Sequence, residues 1–230
     1  MSYNGKYISV VIVAAGMGKR MNSNINKQYL LLKEKPILAY TIEKFDNNEY
    51  IDELIIVTRE EEKEYCLNEV VKKYGFKKVA NIVGGGAERQ DSVYKGLLAV
   101  KDLCNIIIIH DGVRPFIRDE DIINSVDGVI KYGACVMGTP VKDTIKTVSV
   151  EGDIINTPDR NTLWAIQTPQ SFSYEIILKA YREAIEGKVT ATDDSMLVEK
   201  LGYKVKVIEG SYSNIKITTP EDLKLAELLL

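Results

Sequence analysis

Hydrophobic positions along the 230-residue chain gather into short apolar runs with amphipathic stretches between them. Runs that are apolar at nearly every position are typical of strands covered on both faces, so we expect a buried parallel sheet. The predicted strands are Ile8 to Ala14, Leu54 to Val57, Val79 to Val83, Ile106 to Ile109 and Ala134 to Met137. The predicted helices between them are 36–45, 60–74, 89–101 and 119–132. This order predicts one α/β domain over residues 1–230, with a doubly wound, mostly parallel sheet that binds ligands at the carboxyl ends of its strands.

The pattern changes between residues 141 and 161, where short β-prone pieces flank the turn signal Glu151-Gly152-Asp153. We interpret this segment as a protruding β-arm. An arm with so little core of its own needs a covering surface, and a second copy of the chain is the simplest one, so we expect a homodimer. Helices over 173–186 and 193–201, strands over 204–208 and 214–217, and a last helix from Thr219-Pro220 are predicted to follow.

Composition narrows the class of protein. A net charge of −3 argues against a nucleic-acid or membrane-surface binder, because those proteins usually carry a basic excess. The three cysteines are far apart and odd in number, which suits neither a disulfide framework nor a zinc site. Without a signal-peptide pattern or a membrane-spanning run, we expect a cytoplasmic protein that binds a small anion.

A glycine-containing turn follows the first predicted strand. Gly16 and Gly18 allow a tight turn whose backbone N–H groups can face an anion, and Arg20 and Lys27 add positive charge. A dinucleotide-binding turn would have a third glycine where Met21 stands and a carboxylate after the second strand, so hydride chemistry is disfavoured. The pattern predicts phosphate binding, with a turn that binds nothing as the alternative.

Two further strand ends hold polar motifs. Asp111, after the four-isoleucine run, is the best candidate ligand for Mg²⁺, and the alternative is that it pairs with Arg114 or caps the next turn. The only histidine, His110, is expected to make a structural hydrogen bond. The loop from Gly84 to Ser92 suits a nucleobase and ribose pocket, with a simple turn as the alternative.

In the second half of the chain, Arg160 offers a planar fork for a terminal phosphate and Lys216 a point charge toward a phosphate in transit. Spacing alone also allows Arg160 to be a solvated charge on the arm and Lys216 to be an ordinary lysine of a strand. Thr192 and Asp193 are expected to open a helix.

Eight ordered motifs, taken together, resemble one family. They are VAAGMGKRM, NKQ, GGxxRxxSV, HDGVRPF, VKDTIK, RNTLWAIQTPQSF, TDDS and NIKITTPEDL. Over nearly its whole length the chain resembles the 2-C-methyl-D-erythritol 4-phosphate cytidylyltransferases. This resemblance implies a Rossmann-like, glycosyltransferase-A-like nucleotidyltransferase, dimeric through swapped β-arms. It also implies the reaction of CTP with methylerythritol phosphate, giving the CDP-alcohol and pyrophosphate for non-mevalonate isoprenoid synthesis.

The resemblance also implies roles for particular residues. Arg20 and Lys27 would act at the α-phosphate with support from Lys216, and Asp111 would hold Mg²⁺ or another divalent cation. Nucleotide-binding residues would be Ala14, Ala15, Gly16 and Gly18 at the triphosphate and Gly86, Ser92 and Gly112 at the cytidine. Acceptor-binding residues would be Asp143, Thr144, Arg160, Thr168 and Thr192, with Thr144 and Arg160 coming from the neighbouring subunit's arm.

Two positions depart from the family pattern, since Asn22 replaces a glycine and Gly112-Val113 replaces two alanines. The Val-Arg-Pro-Phe stretch also resembles ribitol 5-phosphate cytidylyltransferases, which act on a pentitol phosphate. The Ala-Ala-Gly opening, Lys146 and the Leu163-Trp164 pair favour methylerythritol phosphate. A nucleotide-binding regulator without turnover is the remaining alternative.

Overall fold

The computed structural model describes residues 3–16 and 26–230, and a seven-stranded sheet forms its centre. The strands are β1 (Tyr7–Val13), β2 (Leu31–Leu32), β3 (Lys35–Pro36), β4 (Glu53–Thr58), β5 (Val79–Gly84), β6 (Cys104–Asp111), β7 (Ala134–Pro140), β8 (Thr147–Val148), β9 (Ile154–Asn156), β10 (Trp164–Ser173) and β11 (Lys206–Glu209). The α-helices are α1 (Ile37–Asp46), α2 (Lys63–Tyr65), α3 (Arg89–Leu97), α4 (Asp119–Tyr132), α5 (Tyr174–Glu186), α6 (Asp194–Lys200) and α7 (Pro220–Leu229).

The central sheet has the order β11-β7-β10-β6-β1-β4-β5, and every neighbouring pair is parallel except those that include β10. The predicted doubly wound, mostly parallel sheet is therefore confirmed. Because β10 runs in the opposite direction, its first residues lie at the edge where the parallel strands end. Trp164 pairs with Pro140 there, while Gln170 lies opposite Ile109.

Hydrophobic cores cover both faces of the sheet. Alternate isoleucines of β6 enter different cores, with Ile106 and Ile108 on one face and Ile107 and Ile109 on the other. Helices α1 and α4 cover the first face, and α3, α5 and α6 cover the second. This double burial explains why β6 has an uninterrupted apolar run instead of an alternating one.

Three predicted elements differ from the structure. The predicted helix 60–74 consists of a 3₁₀ turn (Glu60–Glu62), α2 and a π-helical run (Cys66–Lys72). The predicted helix 89–101 ends at Leu97. The predicted strand 214–217 is wrong, because this stretch is irregular and is fastened by isolated contacts, such as the hydrogen bond from Ile217 N to Val113 O.

The segment predicted to form a β-arm contains a small hairpin in which Thr147 pairs with Asn156 and Val148 with Ile154. Its apolar side chains face outward: Val150 is fully exposed, and Ile154 retains 64% of its surface. Within residues 3–16 and 26–230, no helix is both long and apolar enough to cross a membrane.

Candidate active site

A cavity of about 520 Å³ opens where β1 and β5 end, and we call it the glycine-rich cavity. Seven residues predicted to act at phosphates or at a nucleoside line it: Ala14, Ala15, Gly16, Lys27, Gly86, Ser92 and Lys216. Gly18 and Arg20 lie outside the described residues. Residues 14–16, the loop after β5 and Lys27 therefore line one cavity.

The loop after β5 is fixed by hydrogen bonds to the end of β4 and to α3. Gly85 N donates to Thr58 O at 2.7 Å, and Gly86 N donates to Ser92 Oγ at 3.0 Å. A Cβ at Gly85 would lie 2.5 Å from the Cβ of Ala15, so the close approach of the two loops requires glycine. The Ser92 hydroxyl, which also donates to Glu88 O, thus shapes the loop that lines the cavity.

A second cavity, of about 670 Å³, lies between the start of β10 and α6, and we call it the β10–α6 cavity. Thr168 and Thr192, both predicted acceptor-binding residues, line it. Three charged residues line this cavity and the glycine-rich cavity alike: Arg89, Asp111 and Lys216. The two cavities therefore meet at one charged junction.

Asp111 is the centre of this junction. Its carboxylate lies 2.7 Å from Lys216 Nζ, 3.4 Å from Arg89 Nε and 3.7 Å from Arg114 Nε. Burial alone would raise the pKa of Asp111, but the charges of Arg89, Lys216 and Arg114 outweigh it and hold that pKa well below its usual range. The pairing with Arg114 weighed in the sequence analysis is present, and it is the longest of the three contacts.

Arg89 is held in place by Asp194, whose carboxylate is fully buried. The guanidinium donates to both Asp194 oxygens, at 3.0 and 2.8 Å, and Tyr181 Oη donates to the same carboxylate at 2.5 Å. Burial would lower the pKa of Arg89, yet Asp194 and Asp111 together raise it above its usual value. Arg89 and Asp194 are not among the residues predicted from the sequence to act in the site, although the GGxxRxxSV and TDDS motifs contain them.

Lys216 reaches the junction from the irregular segment after β11. Asn214 holds that segment in place, since its Nδ2 donates to Thr168 O at 2.9 Å and its carbonyl accepts from Arg114 Nη1 at 2.7 Å. Thr168 in turn accepts a hydrogen bond from Asp111 N through its Oγ1. Side-chain contacts thus bring together residues that are far apart in the sequence.

His110 is fully buried beside the junction and does not line either cavity in the described part of the chain. Its Nε2 lies 3.1 Å from Arg114 O, and burial lowers the pKa of His110 to about 4. A ring that stays neutral near pH 7 and bonds to the backbone fits the structural role predicted for it.

The structure places four of the predicted site residues away from both cavities. Gly112 donates its N–H to Val13 O at 2.8 Å, and a Cβ there would lie 3.0 Å from Leu38 Cδ1, so it packs behind the cavity wall. Asp143 and Thr144 are exposed on the arm. Arg160 lines a separate groove at the arm's base and donates to Lys142 O at 2.9 Å.

A metal site made of protein ligands alone is absent from residues 3–16 and 26–230, where no three acidic, histidine or cysteine side chains cluster suitably. Asp111 nevertheless faces both cavities as an ionised carboxylate. Magnesium is commonly bound by one or two carboxylates together with waters and substrate phosphates. The residues present therefore fit a magnesium ion that binds together with a phosphorylated ligand.

Comparison with known proteins identifies the family. Residues 8–230 match the family model described as 2-C-methyl-D-erythritol 4-phosphate cytidylyltransferase. The protein of that name from Caldanaerobacter subterraneus subsp. tengcongensis is 52% identical over 223 residues, covering 97% of this chain and 98% of the relative. The one from Clostridioides difficile is 49% identical over 222 residues, covering 96% of this chain and 93% of the relative.

Solved structures agree with this assignment. The crystal structure of 4-diphosphocytidyl-2C-methyl-D-erythritol synthase from Anaerococcus prevotii superposes with a TM-score of 0.87 at 34% identity, covering 98% of this chain and 96% of that one. Both the sequence match and the structural match extend over nearly the whole chain. The chain belongs to the 2-C-methyl-D-erythritol 4-phosphate cytidylyltransferase family, and it is a nucleotidyltransferase.

Proposed function

We propose that this chain transfers the cytidylyl group of CTP to 2-C-methyl-D-erythritol 4-phosphate, giving 4-diphosphocytidyl-2-C-methyl-D-erythritol and pyrophosphate for non-mevalonate isoprenoid synthesis. The observation that supports it most is the shared junction of Arg89, Asp111 and Lys216 between two cavities. A displacement between two phosphorylated substrates needs two enclosures that meet where the bond forms. Cations at that meeting point offset the repulsion between the substrates.

CTP would occupy the glycine-rich cavity. The backbone of residues 14–16 would face the triphosphate, with Gly18 and Arg20 completing this set as the family resemblance implies. The loop containing Gly86 and Ser92 would hold the base and ribose through backbone and small polar groups. Lys27 lines the same cavity, and we assign it to the reacting α-phosphate.

The attacking group would be an oxygen of the acceptor's phosphate, which is already ionised. Positioning and charge stabilisation therefore dominate, since phosphoryl transfer to an ionised oxygen needs little proton transfer. A well-aimed donor contributes about 2.7–4 kcal/mol to the transition state, and we assign this work to Lys27 and Lys216. The low pKa of His110, about 4, agrees with a reaction that uses no imidazole base.

Asp111 would hold a magnesium ion together with the phosphates of the nucleotide. When bound, such an ion neutralises phosphate charge and orients the groups attached to it. The three cations around Asp111 keep its carboxylate ionised, which is the form that binds a metal ion. Lys216 would then share the carboxylate with the ion or turn toward the substrate phosphates.

The acceptor would occupy the β10–α6 cavity. Hydroxyl groups of Thr168 and Thr192 line it and suit a polyol, while Ile166 and Met196 add apolar surface that suits a methyl substituent. A pentitol phosphate such as ribitol 5-phosphate has no such methyl group. The lining therefore favours methylerythritol phosphate as the acceptor.

Arm exchange between two subunits would supply the remaining acceptor contacts. Asp143, Thr144 and Arg160 lie outside both cavities of their own chain, and the hairpin exposes Val150 and Ile154. Exposed apolar residues on a thin hairpin favour a covering partner. In a homodimer with swapped arms, Arg160 and Thr144 would reach the partner's acceptor phosphate.

The test is pyrophosphate release from CTP and Mg²⁺ with methylerythritol phosphate, with ribitol 5-phosphate, or with no acceptor. We expect fast release with methylerythritol phosphate and at least tenfold less with the pentitol. Preference for the pentitol would replace the acceptor that we propose. Nucleotide binding without release in all three mixtures would favour a regulator.

A further inference from the structure

The Lys27 turn, which we define as residues 26–29, is tied to the rest of the fold in part through one acidic side chain, Glu62. We infer that Glu62 is a positioning residue, which holds this turn so that Lys27 stays in the glycine-rich cavity. The inference rests on the proposed function, because it takes Lys27 as the group that acts on the α-phosphate. Glu62 itself touches neither substrate, and its effect would pass through Lys27.

Both neighbours of Lys27 donate hydrogen bonds to Glu62. Asn26 Nδ2 donates to one carboxylate oxygen, and Gln28 Nε2 donates to the other at 3.2 Å. Gln28 is almost fully buried, at 1% exposure, so its amide group depends on this partner. Lys27 lies between the two donors and lines the cavity.

A third hydrogen bond ties Glu62 to the sheet. Thr58 Oγ1, at the end of β4, donates to Glu62 Oε2 at 3.1 Å and shares a 2.8 Å hydrogen bond with Tyr29 Oη. Because the threonine hydroxyl has one proton and gives it to Glu62, Tyr29 must be the donor in the other bond. Glu62 is therefore connected directly to Asn26 and Gln28 and, through Thr58, to Tyr29.

The chemistry of this arrangement requires a carboxylate. A carboxylate accepts at both oxygens, and Asn26, Gln28 and Thr58 all present donors to it. A glutamine at position 62 would face one of these donors with its own N–H₂ group. We therefore expect Glu62→Gln to loosen the turn in part and Glu62→Ala to release it further.

Other contacts keep the turn folded when Glu62 is removed. Tyr29 is buried and packs edge to face on Tyr65 of α2, with ring centroids 4.9 Å apart. Loss of the carboxylate should therefore shift Lys27 without unfolding the segment. A displacement of about 1 Å costs up to 10²-fold in rate when a catalytic group depends on exact placement.

The experiment is a double-mutant cycle between position 62 and Lys27, measured by pyrophosphate release from saturating CTP and methylerythritol phosphate, with thermal unfolding of each variant. We expect Glu62→Ala to lower kcat roughly 10–100-fold in the wild-type background. In the Lys27→Ala background it should change kcat by less than about twofold, because the group that it positions is gone. Glu62→Gln should lie between wild type and Glu62→Ala. Glu64→Ala, an exposed glutamate two residues along, is the matched control and should stay within about twofold of wild type.

Equal losses in both backgrounds would overturn the inference, since they would mean that Glu62 acts independently of Lys27. Wild-type kcat in Glu62→Ala would overturn it too. If Glu62→Ala does not fold, the same cycle with Glu62→Gln decides in the same way. Failure of the proposed role of Lys27 is recognised separately, because Lys27→Ala alone would then keep wild-type turnover.

Discussion

Replacing Asp194 by asparagine should cost the fold about 3 kcal/mol. Asp194 is fully buried and accepts two hydrogen bonds from Arg89 and one from Tyr181. Asparagine keeps the shape but removes the charge, so the guanidinium of Arg89 loses its main counter-ion. Breaking a buried ion pair in this way costs about 3–5 kcal/mol.

The lower end of that range applies here. The side chain of Arg89 retains 31% of its surface, so part of its charge stays hydrated and the pair is weaker than a fully buried one. A loss of about 3 kcal/mol corresponds to a fall of roughly 6–12 °C in Tm for a chain of this length. Arg89 would also be held less firmly against Asp111, its second acidic neighbour.

Urea unfolding with matched thermal melts measures this loss. The control is Glu183→Gln on α5, where the exposed pair with Lys179 spans 3.8 Å and contributes about 0–1 kcal/mol. An unchanged m-value would assign the effect to stability and not to the compactness of the unfolded state. A loss below about 1 kcal/mol in Asp194→Asn would refute the reasoning, because the buried pair would then contribute no more than a surface pair.

Three further predictions concern catalysis and pH. Lys27→Ala should lower kcat roughly 10²–10³-fold or more with the fold intact, and near-wild-type turnover would remove Lys27 from the site. Arg160→Ala should raise KM for the acceptor phosphate and leave KM for CTP nearly unchanged in steady-state assays, and a larger effect on CTP would contradict this. Burial raises the pKa of Cys66 and Cys135 to about 12 and that of Cys104 to about 11, from 9.0. Because the native thiols hold their protons more tightly than the unfolded ones, their contribution to stability is complete below pH 9 and falls as the pH rises toward 11–12. The urea midpoint should therefore be lower at pH 10 than at pH 8. Equal midpoints would show that folding does not raise the pKa of these thiols.

Much of the sheet could be predicted from the sequence. The isoleucine run of β6 is buried on both faces, so all four of its positions are apolar and the sequence predicts a buried strand there. Asp111 and the glycine loops directly follow the ends of such strands, which is why the sequence assigns them to one edge of the sheet.

Elements without a regular period could not be predicted in the same way. The stretch 214–217 has strand-like residues, yet it is held by side chains such as Asn214 and lies outside the sheet. The run 60–72 contains 3₁₀, α and π turns in succession, a change that hydrophobic spacing does not reveal. Local propensity yields to tertiary contacts in both segments.

By itself, then, the sequence determined the five strands β1, β4, β5, β6 and β7 with most of the helices between them, the glycine loop after β5 and the place of Asp111 at the end of β6. Only the tertiary structure decided which charges meet. Arg89 and Asp194 are 105 positions apart, and Glu62 is 34 positions from Gln28. The physical reason is that periodicity records whether a residue faces a core or solvent, whereas a hydrogen bond between distant residues depends on how whole layers pack against each other.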